Sequence, residues 1–178
     1  LACLESNITG TDNVLNACAS HDVKKVIVAS SSEVYGEPSE NPVRETSDTK
    51  GKSVYAVSKM AGEELTKGYH QLYPKLQYTI TRFFNTYGEG QVAQFVLARF
   101  VRNVLEGENP IVYGKGDQIR SYCHVDDTTE ALVKIIENPV SNGKIYNIGN
   151  STQVTTLKAL AEKVIEVLAP NKGITVDI

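Results

Sequence analysis

Apolar positions alternate along this chain between a helical rhythm and short extended runs. From Thr9 to Ser20 the apolar positions Val14, Leu15 and Cys18 suit one face of a helix. Lys24-Lys25-Val26-Ile27-Val28-Ala29-Ser30 follows, a short β-branched run of the kind that forms a parallel strand buried on both faces. It ends in the polar group Ser30-Ser31-Ser32-Glu33. Residues 36–52 hold two prolines, two glycines and many charges, which predicts a surface loop. A second helical stretch begins near Tyr55 and keeps its apolar face through Met60, Ala61, Leu65, Tyr69 and Leu72 until Pro74.

Gln77 to Phe83 predicts the next strand, with Asn85-Thr86-Tyr87-Gly88 just past its end. Gln91 to Glu106 predicts a helix closed by Gly107 and Pro110, and Ile111-Val112-Tyr113 a short strand leading into the turn Gly114-Lys115-Gly116-Asp117. Asp126 or Asp127 can cap a helix from about Thr128 to Asn138, which Pro139 stops. Ile145 to Ile148 predicts a strand, Thr155 or Thr156 starts a last amphipathic helix, and Ile174 to Ile178 begins another strand. Strands alternating with helices give an α/β class with a parallel sheet. The expected organisation is an α/β part over residues 1–110 and a second lobe over residues 111–178 with elements of the first interleaved in it.

Composition narrows the function classes. Apolar residues make up 41% of the 178 and charged residues 22%, so the chain can bury a real core. The net charge is −3 with both signs interspersed, and no basic stripe points to nucleic acid. No apolar run approaches a membrane span, and no signal peptide is visible. Cys3, Cys18 and Cys123 form neither a zinc pattern nor a disulfide framework, and His21, His70 and His124 are scattered. The expectation is a cytoplasmic protein with reduced thiols and no metal.

The candidate chemistry centres on Tyr55 and Lys59. At a spacing of four on a helix both side chains leave the same face. A free tyrosine has a pKa near ~10, and a neighbouring cation favours its phenolate. Such a tyrosine can take a proton from a hydroxyl and return it. Taken alone, the pair is better explained as a buried tyrosine beside a solvated lysine. Ser30, Ser31 and Ser32 stand at the carboxyl end of a strand, where open α/β sheets bind ligands, although serine is also common in turns.

Several stretches taken together are similar to the extended short-chain dehydrogenase/reductases of the nucleotide-sugar epimerase and dehydratase family. They are Asn7-Ile8-Thr9-Gly10-Thr11, Ser30 to Gly36, Tyr55-Ala56-Val57-Ser58-Lys59, Arg82 to Gly88, Val112 to Arg120, His124 to Asp127 and Tyr146 to Asn150. The resemblance implies a Rossmann-like sheet with helices on both faces and part of a C-terminal substrate lobe. It implies NAD as cofactor, a nucleotide-diphosphate sugar as substrate, and a homodimer built on the helices around residues 9–20 and 55–72. Tyr55 becomes the base at the sugar 4-hydroxyl, Lys59 its cationic neighbour and a contact to the nicotinamide ribose, and Ser31 a hydrogen-bond partner of the same hydroxyl. Ser30 and Phe83 become further cofactor contacts. Asn85 and Arg120 resemble the residues at the substrate diphosphate and Tyr113 the aromatic that stacks on the base, while Asp126 caps a helix.

Glu33 bears on which reaction follows oxidation at C4. Dehydratases of the family place an Asp–Glu pair here, and this sequence has Ser32-Glu33, closer to the decarboxylase pattern. A 4-epimerase is the leading expectation, with a 4,6-dehydratase or a glucuronate decarboxylase behind it. A non-catalytic nucleotide-sugar-binding protein on the same fold, or an NADP-dependent reductase of another carbonyl, are the readings from other classes. Two features depart from the family. The glycine-rich loop that receives the cofactor pyrophosphate has no counterpart among Gly10, Gly36, Gly88 and Gly90, so the expectation is an internal fragment or an incomplete sequence. Ser121 stands where the family often has Asp.

Overall fold

A computed structural model describes residues 2–178, which form two compact units: residues 2–84 with Thr129–Ile148, and Asn85–Thr128 with Gly149–Ile178. The expected boundary at residue 110 falls inside the second unit. In chain order the elements are α1 (Ala2–Leu4), α2 (Gly10–Ser20), β1 (Lys25–Ser31), α3 (Val54–Leu72), β2 (Gln77–Phe83), β3 (Asn85–Tyr87), α4 (Val96–Glu106), β4 (Ile119–His124), α5 (Val125–Glu137), β5 (Lys144–Ile148), β6 (Val154–Thr156) and α6 (Leu157–Leu168).

In the first unit β1, β2 and β5 form a parallel sheet in that order, with Ser31 opposite Phe83 and Phe83 opposite Ile148 at its carboxyl end. Parallel pairing needs long crossovers, and α3 supplies the one between β1 and β2. Burial on both faces is realised in β2, where Thr79, Ile80, Thr81 and Arg82 are all buried. It is not realised in β1, whose residues 25–28 are only partly buried. The reason is its place in the sheet: among the described residues β1 pairs with β2 alone, and Val26 to Ala29 line a cavity of about 400 Å³ with Ser6, Gly10, Thr11 and Lys59. The two threonines inside β2 meet the demand for partners on buried hydroxyls by donating to the Ser141 and Val28 carbonyls.

The helix expected from Thr9 begins at Ala2. A π-helical turn over Glu5–Thr9 joins α1 to α2, and Leu4, Thr9 and Gly10 all keep helical backbone angles. α3 starts where expected. Ser53 is extended and its hydroxyl accepts from the Ala56 N–H at 3.0 Å, satisfying a donor that the first helical turn leaves free. The face of α3 that packs inward carries Ala56, Ser58, Gly62, Glu63 and Thr66. Gly62 faces the neighbouring helical turn, where a methyl would sit at ordinary contact distance, 3.6 Å, from the Asn7 carbonyl.

In the second unit β3 pairs in parallel with β4, and β4 pairs antiparallel with β6. None of these three strands was expected from the sequence. Its core joins Phe100 and Val104 of α4 to Val112 and to Ala161, Val164 and Ala169 in or after α6. α4 begins at Val96 rather than Gln91, because Gln91 and Phe95 close turns onto Gly88 and Val92 instead. The strands expected at 111–113 and 174–178 reduce to one parallel bridge between Ile111 and Asp177. α6 starts as expected, with Thr156 accepting from the Ala159 N–H.

Candidate active site

The end of β1 and the start of α3 hold the candidate residues of the first unit. Ser31 is buried, the last residue of β1, and its hydroxyl accepts from the Glu33 N–H at 3.2 Å. That bond caps a single 3-10 turn, Ser32–Tyr35, and leaves the Ser31 O–H able to donate elsewhere. Glu33 stands exposed on this turn.

Tyr55 lies in the first turn of α3 with its ring 41% exposed, open to a ligand. Lys59 sits one turn later, its ammonium 5.7 Å from the Tyr55 ring centroid, as the four-residue spacing requires. The same ammonium donates to the Ala29 carbonyl at 3.0 Å and borders the β1 cavity. Burial pushes the Lys59 pKa below the ordinary lysine value, and the nearby Cys3 acts in the other direction.

The first residue that sequence reasoning placed at the cofactor is turned inward. Ser30 is buried and its hydroxyl donates to Glu63 Oε1 at 2.5 Å. Phe83 is half-buried at the end of β2. Glu63 in turn receives Arg82 through two bonds, Nε to Oε1 at 2.9 Å and Nη2 to Oε2 at 2.7 Å. Burial works against the Arg82 charge, but the bonds to Glu63 and Tyr35 outweigh it and hold the guanidinium above the usual arginine range. Arg82 Nη1 also donates to the Tyr35 hydroxyl at 2.9 Å and to the Glu45 carbonyl at 3.2 Å. The Tyr35 hydroxyl in turn donates to Asn147 Oδ1 at 2.6 Å. Asn147 holds the loop again, its amide side chain donating to the Val43 carbonyl and its backbone N–H to Glu45 Oε1. Sequence reasoning missed this cluster. Its one signal was an arginine in the middle of a strand otherwise reading as buried.

The second unit holds the remaining candidates. Asn85 is exposed at the start of β3, and its amide donates to the Ser121 carbonyl at 3.0 Å. Ser121, in the place where Asp is common, donates to the Asn150 carbonyl. Arg120 is exposed and its guanidinium bonds only the neighbouring Ile119 carbonyl among the described residues. Tyr113 is 67% exposed, and the Arg99 guanidinium lies 5.2 Å from its ring centroid. Asp126 lies in the first turn of α5, its carboxylate 3.4 Å from the His124 ring.

Residues 1–149 match the NAD dependent epimerase/dehydratase family. This chain belongs to that family. A UDP-N-acetyl-alpha-D-glucosaminuronate decarboxylase of Bacillus cytotoxicus is 39% identical, over 84% of this chain and 48% of that protein. A dTDP-glucose 4,6-dehydratase of Streptomyces niveus is 31% identical, over 92% of this chain and 48% of its own length. The crystal structure of a UDP-glucuronic acid 4-epimerase of Bacillus cereus, in complex with UDP-glucuronic acid and NAD, superimposes with a TM-score of 0.89 at 28% identity, covering 98% of this chain and 54% of that one. The chain thus spans about half the length of the curated relatives it matches. The family is one of NAD-dependent enzymes, and the Rossmann-like α/β expectation agrees with these neighbours. Among the described residues no helix is long and apolar enough to cross a membrane, and no cluster of metal-binding side chains occurs.

Proposed function

We propose that the protein containing this chain is an NAD-dependent nucleotide-sugar 4-epimerase. The observation that carries the reading is the pairing of an exposed Tyr55 phenol with a half-buried Lys59 ammonium on one helical turn, in a family that acts through NAD. Tyr55 takes the proton from the sugar 4-hydroxyl and later returns it. Lys59 stabilises the phenolate through its charge, and Ser31, whose O–H remains free to donate, holds the same hydroxyl oxygen.

The residues present suit NAD. Lys59 points its ammonium toward the β1 cavity, where it can reach a ribose hydroxyl, and Phe83 stands opposite Ser31 at the strand ends. NAD, when bound, accepts and returns the hydride at C4. The chain's own part is to move the hydroxyl proton and to hold the sugar. Asn85 and Arg120 supply donors for the diphosphate, for which a guanidinium fork with no carboxylate partner is suited, and Tyr113 supplies a stacking surface for the base.

Ser32 and Glu33 bear on which of the neighbouring reactions follows. Epimerisation at C4 needs no further acid, whereas elimination of water needs an acid where this chain has Ser32. Incubating the full-length protein with UDP-glucose, dTDP-glucose and UDP-glucuronate, with products identified by NMR, tests the reading. The C4 epimer supports it. A 4-keto-6-deoxy sugar makes the protein a dehydratase, a pentose with released CO₂ makes it a decarboxylase, and nucleotide-sugar binding without turnover makes it a binding protein.

A homodimer is part of the same proposal. Val14 of α2 and Val57 and Leu72 of α3 are at least half exposed, a concentration of apolar surface that pairing would cover. A monomer mass independent of concentration in sedimentation would remove it.

A further inference from the structure

Tyr113 and Arg99 make an arrangement that the proposed reaction does not itself require. Val112 is buried in the core and donates its N–H to the Asp177 carbonyl, so the extended backbone turns Tyr113 outward. The Tyr113 carbonyl accepts from Gln118 Nε2 at 3.2 Å, and the backbone is held from both sides. The side chain is not: the ring is 67% exposed, and its hydroxyl has no hydrogen bond among the described residues. Its one ring partner is the guanidinium of Arg99 at 5.2 Å.

Arg99 is as singular as the ring it covers. It lies in α4, next in sequence to the buried Phe100, and is itself half-buried. Arg102, on the same helix, pairs with Glu106 at 3.9 Å. Arg99 has no carboxylate, hydroxyl or carbonyl partner among the described residues. A half-buried guanidinium with five donors and only an aromatic face against it is placed by that face.

We propose that Arg99 is a positioning residue for nucleotide binding: stacked behind Tyr113, it fixes the ring plane and leaves the opposite face to the base of a nucleoside diphosphate. This rests on the reading of Tyr113 as the base platform. A ring exposed on both sides samples several rotamers, and ordering it is part of the cost of binding. A planar cation on one face removes much of that freedom beforehand and confines the base to the other face. Arg99 then governs affinity for the nucleotide and leaves the proton transfer at Tyr55 untouched.

The test uses the full-length protein with UDP and dTDP as titrants, in wild type, Arg99→Met, Arg99→Lys, Tyr113→Leu and the Arg99→Met/Tyr113→Leu double variant. For whichever nucleotide binds, Arg99→Met is expected to weaken affinity about two- to fivefold, the range of an exposed cation–π contact. KM for the nucleotide sugar should rise with it while kcat and the melting temperature stay unchanged. Arg99→Lys should restore part of the loss, and Arg99→Met should cost nothing further once Tyr113 is leucine. Additive losses in the double variant would overturn the inference, as would an unchanged affinity in Arg99→Met. A loss seen with UDP or dTDP but absent with uridine or thymidine would also overturn it, by assigning Arg99 to the phosphates. Should Tyr113→Leu itself bind normally, the platform reading of Tyr113 falls together with the inference. The reaction assignment is judged separately, by products.

Discussion

Glu63 of α3 and Arg82 of β2 meet as a bidentate ion pair, both side chains within 4% of full burial. Each charge has been taken from water, and each is matched by the other and by Ser30 or Tyr35. Removing one partner leaves an uncompensated buried charge. Arg82→Met is expected to lower the unfolding free energy by about 3–5 kcal/mol, read by urea denaturation. Replacing Glu63 and Arg82 together with apolar residues should cost clearly less than the sum of the single changes, since no lone charge remains. A fully additive double variant would mean that the pair is not coupled.

Tyr55→Phe removes the proton acceptor while keeping the ring. In the full-length protein kcat should fall about 10²- to 10⁴-fold with little change in KM. Near-normal turnover in steady-state assays would exclude Tyr55 from the proton transfer.

Ser53 caps the turn that carries Tyr55, through its bond to the Ala56 N–H. Ser53→Ala should cost about 1 kcal/mol in thermal or chemical unfolding, and Ser53→Asp should retain most of that. Because the cap lies so close to Tyr55, the alanine variant should also lose turnover, and the aspartate variant should recover it.

Lys59 makes a pH signature. Burial lowers its pKa in the folded protein below 10.5. Between that lowered value and the unfolded value the unfolded chain binds more protons, so the group opposes folding most strongly at low and neutral pH, and this opposition fades as pH rises toward 10.5. Lys59→Met removes the opposition. Its stability relative to wild type, in the cofactor-free protein, should therefore be greatest near neutrality and decline as the pH approaches that of free lysine. A difference independent of pH would show that Lys59 titrates normally.

Local pattern explains which elements were readable. β2 occupies the residues expected, because Gln77 to Phe83 is a compact β-branched and aromatic run between Pro74 and Asn85. α3 was readable from the Tyr55–Lys59 spacing, the apolar stripe and Pro74. β4 was not: Ile-Arg-Ser-Tyr-Cys-His alternates too weakly, and its place comes from pairing with β3 and β6, which are each three residues long. The site divides in the same way. Ser31, Tyr55 and Lys59 belong to short motifs at strand and helix ends. The Arg82 cluster draws on five separate segments, and the Arg99–Tyr113 contact on two, so no window of sequence displays either.

The loop over residues 37–53 reads as a dispensable surface excursion, yet the way it is fastened restricts how it can evolve. Gly36 enters it at φ 62°, where a Cβ would collide with the Lys50 carbonyl. Arg82 and Asn147 grip it at the backbone carbonyls of Glu45 and Val43, atoms that every residue type supplies. Apart from Glu45, whose carboxylate also accepts the Asn147 N–H, most side chains along the loop can therefore drift without loosening it. A single insertion or deletion between Gly36 and Val43 would instead slide the wrong carbonyls into the grip, so lineages of this protein should show a loop that is variable in letter and fixed in length.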